Sequence, residues 1–190
     1  MPRWVEAERR AQLVAVGALL ARRGLIRAAE GNLSCRLDDG RVLLTPRGGD
    51  KGRLDGAALI VCAVADQPPS AASSEALAHL ETYRRRPEIG ALVHAHPEAL
   101  LALDALGELP RPGDLKEGEL LVGRIARVAA LPPGSRELAV ACAEALADAT
   151  VVVMARHGAL AAGADPAQAL ARLEAAELLA RVALARGARR

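Results

Sequence analysis

The sequence contains no phenylalanine, one tyrosine and one tryptophan in 190 residues. So few rings exclude a base-stacking surface of the kind that holds single-stranded nucleic acid. The three cysteines, Cys35, Cys62 and Cys142, are odd in number and none stands in a CxxC spacing. That argues against a disulfide framework and a thiolate zinc site, and leaves them as small buried hydrophobes. Net charge is nearly absent: 25 basic against 23 acidic residues leave +2, which makes no general field for nucleic acid or a membrane surface. The clusters Arg84-Arg85-Arg86 and Arg189-Arg190 read as a solvated helix end and a loose tail. Although 52% of the residues are hydrophobic, charges interrupt each apolar run before the roughly 18 to 20 residues that a bilayer span needs. The start, Met1-Pro2-Arg3-Trp4-Val5-Glu6, has neither the apolar stretch nor the small-residue cleavage site of a secretory signal. These absences predict a soluble, cytoplasmic protein with no nucleic-acid or membrane partner, folded as one domain over residues 1–190.

What is present is a mixed pattern of helices and short strands. Val5, Leu13, Val16, Leu19 and Leu20 share one face of an opening amphipathic helix that Gly24 ends. Two β-like runs follow, Asn32 to Leu37 and Arg41 to Thr45, around the hairpin signal Asp38-Asp39-Gly40. Further strands are predicted from Ala58 to Val64 and from Glu88 to His94. Between them a helix from about Ser73 to Arg86 carries Leu77, Leu80 and Tyr83 inward and stops at Pro87. From Leu106 to Pro133 the pattern weakens: Pro110, Pro112 and Gly113 mark a loop, and Leu120 to Leu131 supplies one or two strands. A helix from about Ser135 to Asp148, a buried strand Val151 to Met154 and a last helix after Pro166 complete the chain. Hairpins mixed with helices predict a three-layer α/β/α fold around a mostly antiparallel mixed sheet.

Chemistry concentrates in a few places. His94-Ala95-His96 closes an apolar run, and residues i and i+2 of a strand point to the same side, so both imidazoles can reach one metal ion; a pair of satisfied or surface histidines is the alternative. Pro97 ends that strand, and His157 follows a second apolar run as a candidate third ligand. His79, within a helix, reads as a histidine of the core or one behind the metal ligands. Ser73-Ser74-Glu75 begins a helix, whose free N–H groups suit a phosphate, although serine and glutamate are equally ordinary helix-start residues. Gly31-Asn32 and Thr45-Pro46-Arg47-Gly48 read as tight turns.

Taken in order, Gly31-Asn32-Leu33-Ser34, Leu44-Thr45-Pro46-Arg47-Gly48, Ser73-Ser74-Glu75, Arg86-Pro87-Glu88, His94-Ala95-His96-Pro97 and His157-Gly158 resemble the class II aldolase/adducin family. The resemblance implies metal ligation, by zinc or another divalent ion, at His94, His96 and His157. It implies phosphate contact at Asn32, Gly48, Ser73 and Ser74, and an acid/base role for Glu75. It also implies a homotetramer acting on a small sugar phosphate such as L-fuculose 1-phosphate. Cleaving a C–C bond beside a carbonyl leaves an enediolate that needs a strong electrophile, which a divalent metal supplies, and a nearby carboxylate can move the proton. Family epimerases tend to carry aspartate where Glu75 stands, so the glutamate points toward an aldolase. Dehydratases and epimerases of the same scaffold, and a non-catalytic module like the adducin head, are the alternatives.

The sequence departs from that pattern in three places. Family aldolases protonate the aldehyde oxygen with a tyrosine of the middle loop, whereas Tyr83, the one tyrosine here, lies in the helix after Glu75. Ala29 replaces a phosphate-binding hydroxyl. Arg47 replaces the small hydroxyl residue of the TPxG motif, where a guanidinium is able to grip phosphate or carboxylate by a bidentate pair.

Overall fold

A computed structural model describes residues 3–37 and 40–187. The hairpin residues Asp38 and Asp39 and the terminal pair Arg189-Arg190 lie outside the described residues. Seven strands form one sheet: β1 (Asn32–Arg36), β2 (Arg41–Leu44), β3 (Ile60–Ala63), β4 (Ala91–Ala95), β5 (Ile125–Val128), β6 (Val151–Met154) and β7 (Gly158–Gly163), in the order β3-β2-β1-β4-β7-β6-β5. Every pairing is antiparallel except β5 with β6, which is parallel. Five helices cover the sheet: α1 (Arg3–Arg22), α2 (Ala76–Arg85), α3 (Glu98–Ala105), α4 (Arg136–Ala145) and α5 (Pro166–Gly187).

The layers follow from the two-residue period of a strand. Leu33, Cys35, Val93, Ala95, Val151, Val153, Ala159 and Ala161 pack with Leu13, Val16 and Leu20 of α1, Leu100 and Leu103 of α3, and Leu173 and Leu179 of α5. Their neighbours Leu92, Val152, Met154 and Leu160 face the other way, onto Ala76, Leu80 and Tyr83 of α2 and Leu138 and Cys142 of α4. The α/β/α architecture with a mostly antiparallel mixed sheet is therefore the observed one.

Details differ from the sequence reading. The helix expected from Ser73 begins at Ala76, with Glu75 in the capping position, and Leu77 is only half-buried. Between Leu120 and Leu131 there is one strand, β5, preceded by a π-helical turn at Gly118–Val122. Two elements gave no signal. The eight residues of α3 are too uniformly apolar to show an amphipathic stripe, and β7, Gly-Ala-Leu-Ala-Ala-Gly, lacks the branched and aromatic residues that mark strands. The arginine cluster is engaged within the chain: Arg84 with Glu81 and the Val64 carbonyl, Arg85 with Glu81 and Glu144, Arg86 with Glu88. No helix among the described residues is long and apolar enough to cross a membrane.

Candidate functional site

Strand pairing gathers the motifs. β1 pairs with β4 so that Asn32 lies opposite His94. The preceding Gly31 has φ +69°, and a Cβ there would stand 2.7 Å from the His94 carbonyl oxygen, so only glycine lets the turn close against this strand. His157 sits in the turn between β6 and β7. That turn is held by Asp104 of α3, whose buried carboxylate accepts from Arg156 N–H at 2.8 Å and from Arg127 Nε at 2.6 Å. Burial would raise the pKa of Asp104, but these two donors outweigh it and hold the group ionised below its ordinary range. A Cβ on Gly158 would meet the Ala95 carbonyl and ring carbons of His96 and His94 at 2.6–2.7 Å, which explains why the glycine must follow His157. Loops 45–48 and 71–73 are joined by Ser73 N–H to the Thr45 carbonyl at 3.0 Å and Arg47 N–H to the Ala71 carbonyl at 2.8 Å.

At the centre, ring centroids of His94, His96 and His157 are 5.0–5.4 Å apart, and one ligand atom from each lies within 4.8 Å of the others. The Nδ1–H of His94 donates to the Ala159 carbonyl at 3.0 Å, which fixes the ring with its Nε2 toward His96 and Glu75. That Nε2 lies 3.2 Å from His96 Nε2 and 3.1 Å from Glu75 Oε2, while Glu75 Oε1 lies 3.2 Å from His157 Nε2. His157 Nδ1 is buried without a hydrogen-bond partner. Acceptor atoms this close repel unless protons or a cation lie between them, and three imidazoles with an adjacent carboxylate are a donor set of the kind that divalent zinc-like ions take. Burial, then the charge of His94, lowers the pKa of both His96 and His157, keeping them unprotonated further into the acid range. For Glu75, burial acts upward, but hydrogen bonds and charge from His94, with His157 and Asn32, bring its pKa down to about 2.

Glu75 is also the end of a buried polar chain. Asn32 Nδ2 donates to Glu75 Oε2 at 2.8 Å, so Asn32 Oδ1 faces inward and accepts from His79 Nε2–H at 2.5 Å. The other ring nitrogen of His79 then accepts from the Ser34 hydroxyl at 2.6 Å, and Ser34 in turn accepts from Tyr83 at 2.7 Å. Together these roles fix one neutral tautomer of His79. Burial, then the charge of His94, brings the pKa of His79 down to about 3.

Asn32, Gly48, Ser73, Ser74, Glu75, His96 and His157 line one cleft of about 220 Å³, together with Ala29, Glu30, Gly31, Lys51 and Pro133; His94 lies beneath them, 2% exposed. Arg47 is exposed and does not line the cleft. Tyr83 is 1% exposed, bonded to Ser34, and does not line the cleft. Ser73 does not cap α2; its hydroxyl oxygen accepts from Glu75 N–H at 3.3 Å. A hollow of about 450 Å³ adjoins across Pro133 and His157 and is walled by Leu131, Pro132 and Arg156. A cavity of about 410 Å³ between α1 and α5, at Arg23, Leu25 and Glu174, holds none of the candidate residues. Convergence of polar groups, not volume, singles out the smaller cleft. Sequence reasoning missed Lys51 and Asp104, because a lysine in a glycine-rich turn and an aspartate in an apolar helix carry no pattern.

Among known proteins, the chain is 34% identical over 188 residues to methylthioribulose-1-phosphate dehydratase of Gluconobacter oxydans, covering 92% of this chain and 90% of that one. It is 32% identical over 195 residues to 3-oxo-tetronate 4-phosphate decarboxylase of Pectobacterium atrosepticum, covering 97% and 88%. In three dimensions it is similar to L-fuculose-1-phosphate aldolase from Thermus thermophilus, with a TM-score of 0.88, 33% identity and 95% and 94% of the two chains covered. Residues 11–184 match the model of the Class II Aldolase and Adducin N-terminal domain, and the chain belongs to that family.

Proposed function

We propose that this chain is a divalent-metal-dependent lyase for a small phosphorylated ketose, acting by aldol cleavage or its reverse, with Glu75 as the acid/base. The observation that carries the reading is the carboxylate of Glu75 set 3.1 Å from His94 and 3.2 Å from His157, inside a cluster of three imidazoles. His94, His96 and His157 would hold the ion, zinc or a similar divalent cation. When bound it supplies the positive charge that stabilises an oxyanion next to the breaking bond. Glu75 is ionised at neutral pH and begins as the proton acceptor, with Asn32 holding its Oε2 in place. Ser73, Ser74, Gly48 and Asn32 form the wall that receives the phosphate, where the hydroxyl protons of the serines remain available as donors. Arg47 stands outside that wall, so the anion contact proposed for it from the sequence is not supported by its position.

Dehydration of the same kind of substrate is the second reading, and one observation favours it: among the described residues no phenol lines the cleft, since Tyr83 is buried behind Ser34. The dehydratase among the relatives is consistent with that. A binding module like the adducin head is disfavoured by the convergence of three imidazoles on one carboxylate. Assembly as a homotetramer is the proposed state, as the family resemblance implies, with the exposed Leu106, Leu120 and Leu121 available for contact between copies. A cytoplasmic setting agrees with three buried, unpaired cysteines.

Metal analysis of purified protein followed by a screen of ketose 1-phosphates tests the proposal. Stoichiometric divalent metal and release of a triose phosphate support aldol cleavage; a dehydrated product with retained metal selects the second reading. Metal-loaded protein that neither exchanges the carbon-bound hydrogen of dihydroxyacetone phosphate with solvent nor turns over any ketose phosphate would sink both.

A further inference from the structure

Lys51 opens a 3₁₀ turn that Asp50 caps, its carboxylate accepting from Gly52 N–H at 2.8 Å. It is 2% exposed. Its Nζ donates to the Gly48 carbonyl at 2.6 Å, the Gly49 carbonyl at 3.0 Å and the Ala29 carbonyl at 3.3 Å. Three acceptors match the three protons of an ammonium; a neutral amine, with two protons and a lone pair, would face one carbonyl lone pair to lone pair. The cage therefore requires the charged form, even though burial, partly opposed by Asp50, lowers the pKa of this lysine. A buried ammonium whose hydrogen-bond partners are all neutral is expensive to keep.

Its place suggests what uses the charge. Ala29 and Gly48 belong to two different turns of the cleft wall, so Lys51 ties these turns together. Of the described residues lining the cleft, Lys51 is the single lysine or arginine. The acids lie with the histidines: Glu30 at 3.7 Å from His96, Glu75 against His94 and His157. The acids of the cleft are thus paired with imidazoles, while its lysine is held by carbonyls of the Gly48-Gly49 loop and of Ala29.

We infer that Lys51 is the positioning residue of the anion subsite, holding the Gly48-Gly49 loop in shape and supplying the buried positive charge by which the cleft prefers a dianionic phosphate ester over its neutral alcohol. All three of its protons are used on carbonyls, so it acts through the loop and through space. The inference rests on the proposed phosphate subsite, and it extends that proposal to a residue that no motif contains.

The test compares binding of glycerol 1-phosphate and glycerol to the metal-containing protein at fixed ionic strength, in wild type, Lys51→Gln and Lys51→Met. Glutamine keeps two N–H donors without the charge; methionine removes both. The expected result for Lys51→Gln is affinity for the phosphate ester at least about tenfold weaker, the scale of one unit charge acting through a protein wall, with metal content unchanged and a reduced dependence on salt. Lys51→Met is expected to lose at least as much. An affinity within twofold of wild type in Lys51→Gln overturns the inference. Should both variants fail to fold, the ¹⁵Nζ resonance of Lys51 in wild type decides: a charged ammonium at neutral pH that shifts when the ester binds is expected, and a neutral amine, or a signal indifferent to the ester, overturns it. Wild type that retains metal but binds ester and alcohol equally would remove the phosphate subsite itself, an outcome separate from a failure of the Lys51 variants alone.

Discussion

The two faces of the central sheet are built from the same strands and do different work. On the side of α1, α3 and α5, Leu33, Cys35, Val93 and Ala95 pack within an apolar cluster. On the side of α2, the residues between them, Asn32, Ser34 and His94, are polar, buried and hydrogen-bonded to His79, Tyr83, Glu75 and the Ala159 carbonyl. One step along β1 or β4 separates these apolar contacts from the buried polar network. A polar group buried without partners costs stability, so the second face is tolerable only because its chain of donors and acceptors is complete.

Substitutions on either face test this separation. The largest effect is expected at the histidines: His94→Ala/His96→Ala should abolish activity and remove most bound metal, whereas His79→Gln should leave metal content intact. Stoichiometric metal in the double variant would dismantle the site. Next, Glu75→Gln should lose about 10² to 10⁴ in kcat while retaining metal, since glutamine keeps the shape but exchanges no proton. Normal solvent exchange in that variant would move the proton-transfer role elsewhere. On the apolar face, Leu173→Ala should cost about 2–5 kcal/mol of unfolding free energy in denaturant titration, with kcat per folded molecule unchanged; a fall in kcat at full metal occupancy would contradict the independence of the two faces.

A smaller effect follows from His79. Its folded pKa, about 3, lies below the ordinary 6.5, so the unfolded chain binds a proton that the folded one refuses throughout that window. Stability should therefore fall as pH drops below about 6.5, by at most about 1.4 kcal/mol per pH unit for this one group. His79→Gln should flatten that acid limb in urea titrations between about pH 5 and 7, and an unchanged slope would contradict it. The smallest effect is expected at Arg47, whose exposed position predicts that Arg47→Ala leaves KM for a phosphorylated substrate unchanged; a large rise would bring Arg47 into the subsite.

The layered architecture and the shared face of the histidine pair were legible from local spacing, apolar alternation and i and i+2 on a strand. His157 and Glu75 stood out as candidates only through the ordered set of motifs, since a turn histidine and a helix-start glutamate are ordinary by themselves. The Ser73-Ser74 cap was legible but misplaced, since Glu75 takes the capping position and turns its side chain to the histidines instead of the helix. Lys51 and Asp104 were hidden. Both matter through backbone groups distant in sequence, Ala29 for one and Arg156 for the other, and no periodicity records such a contact.

The sequence by itself determined which side chains are available and which share a face, since strand and helix periods are properties of the local backbone. Only the tertiary structure decided that Asn32 lies opposite His94, that the turn after β6 delivers His157 to the same point, and that Lys51 is enclosed by three carbonyls. Register between strands and the closing of loops over a charge arise from packing the whole chain at once, because a buried polar group is stable only where distant segments supply its partners.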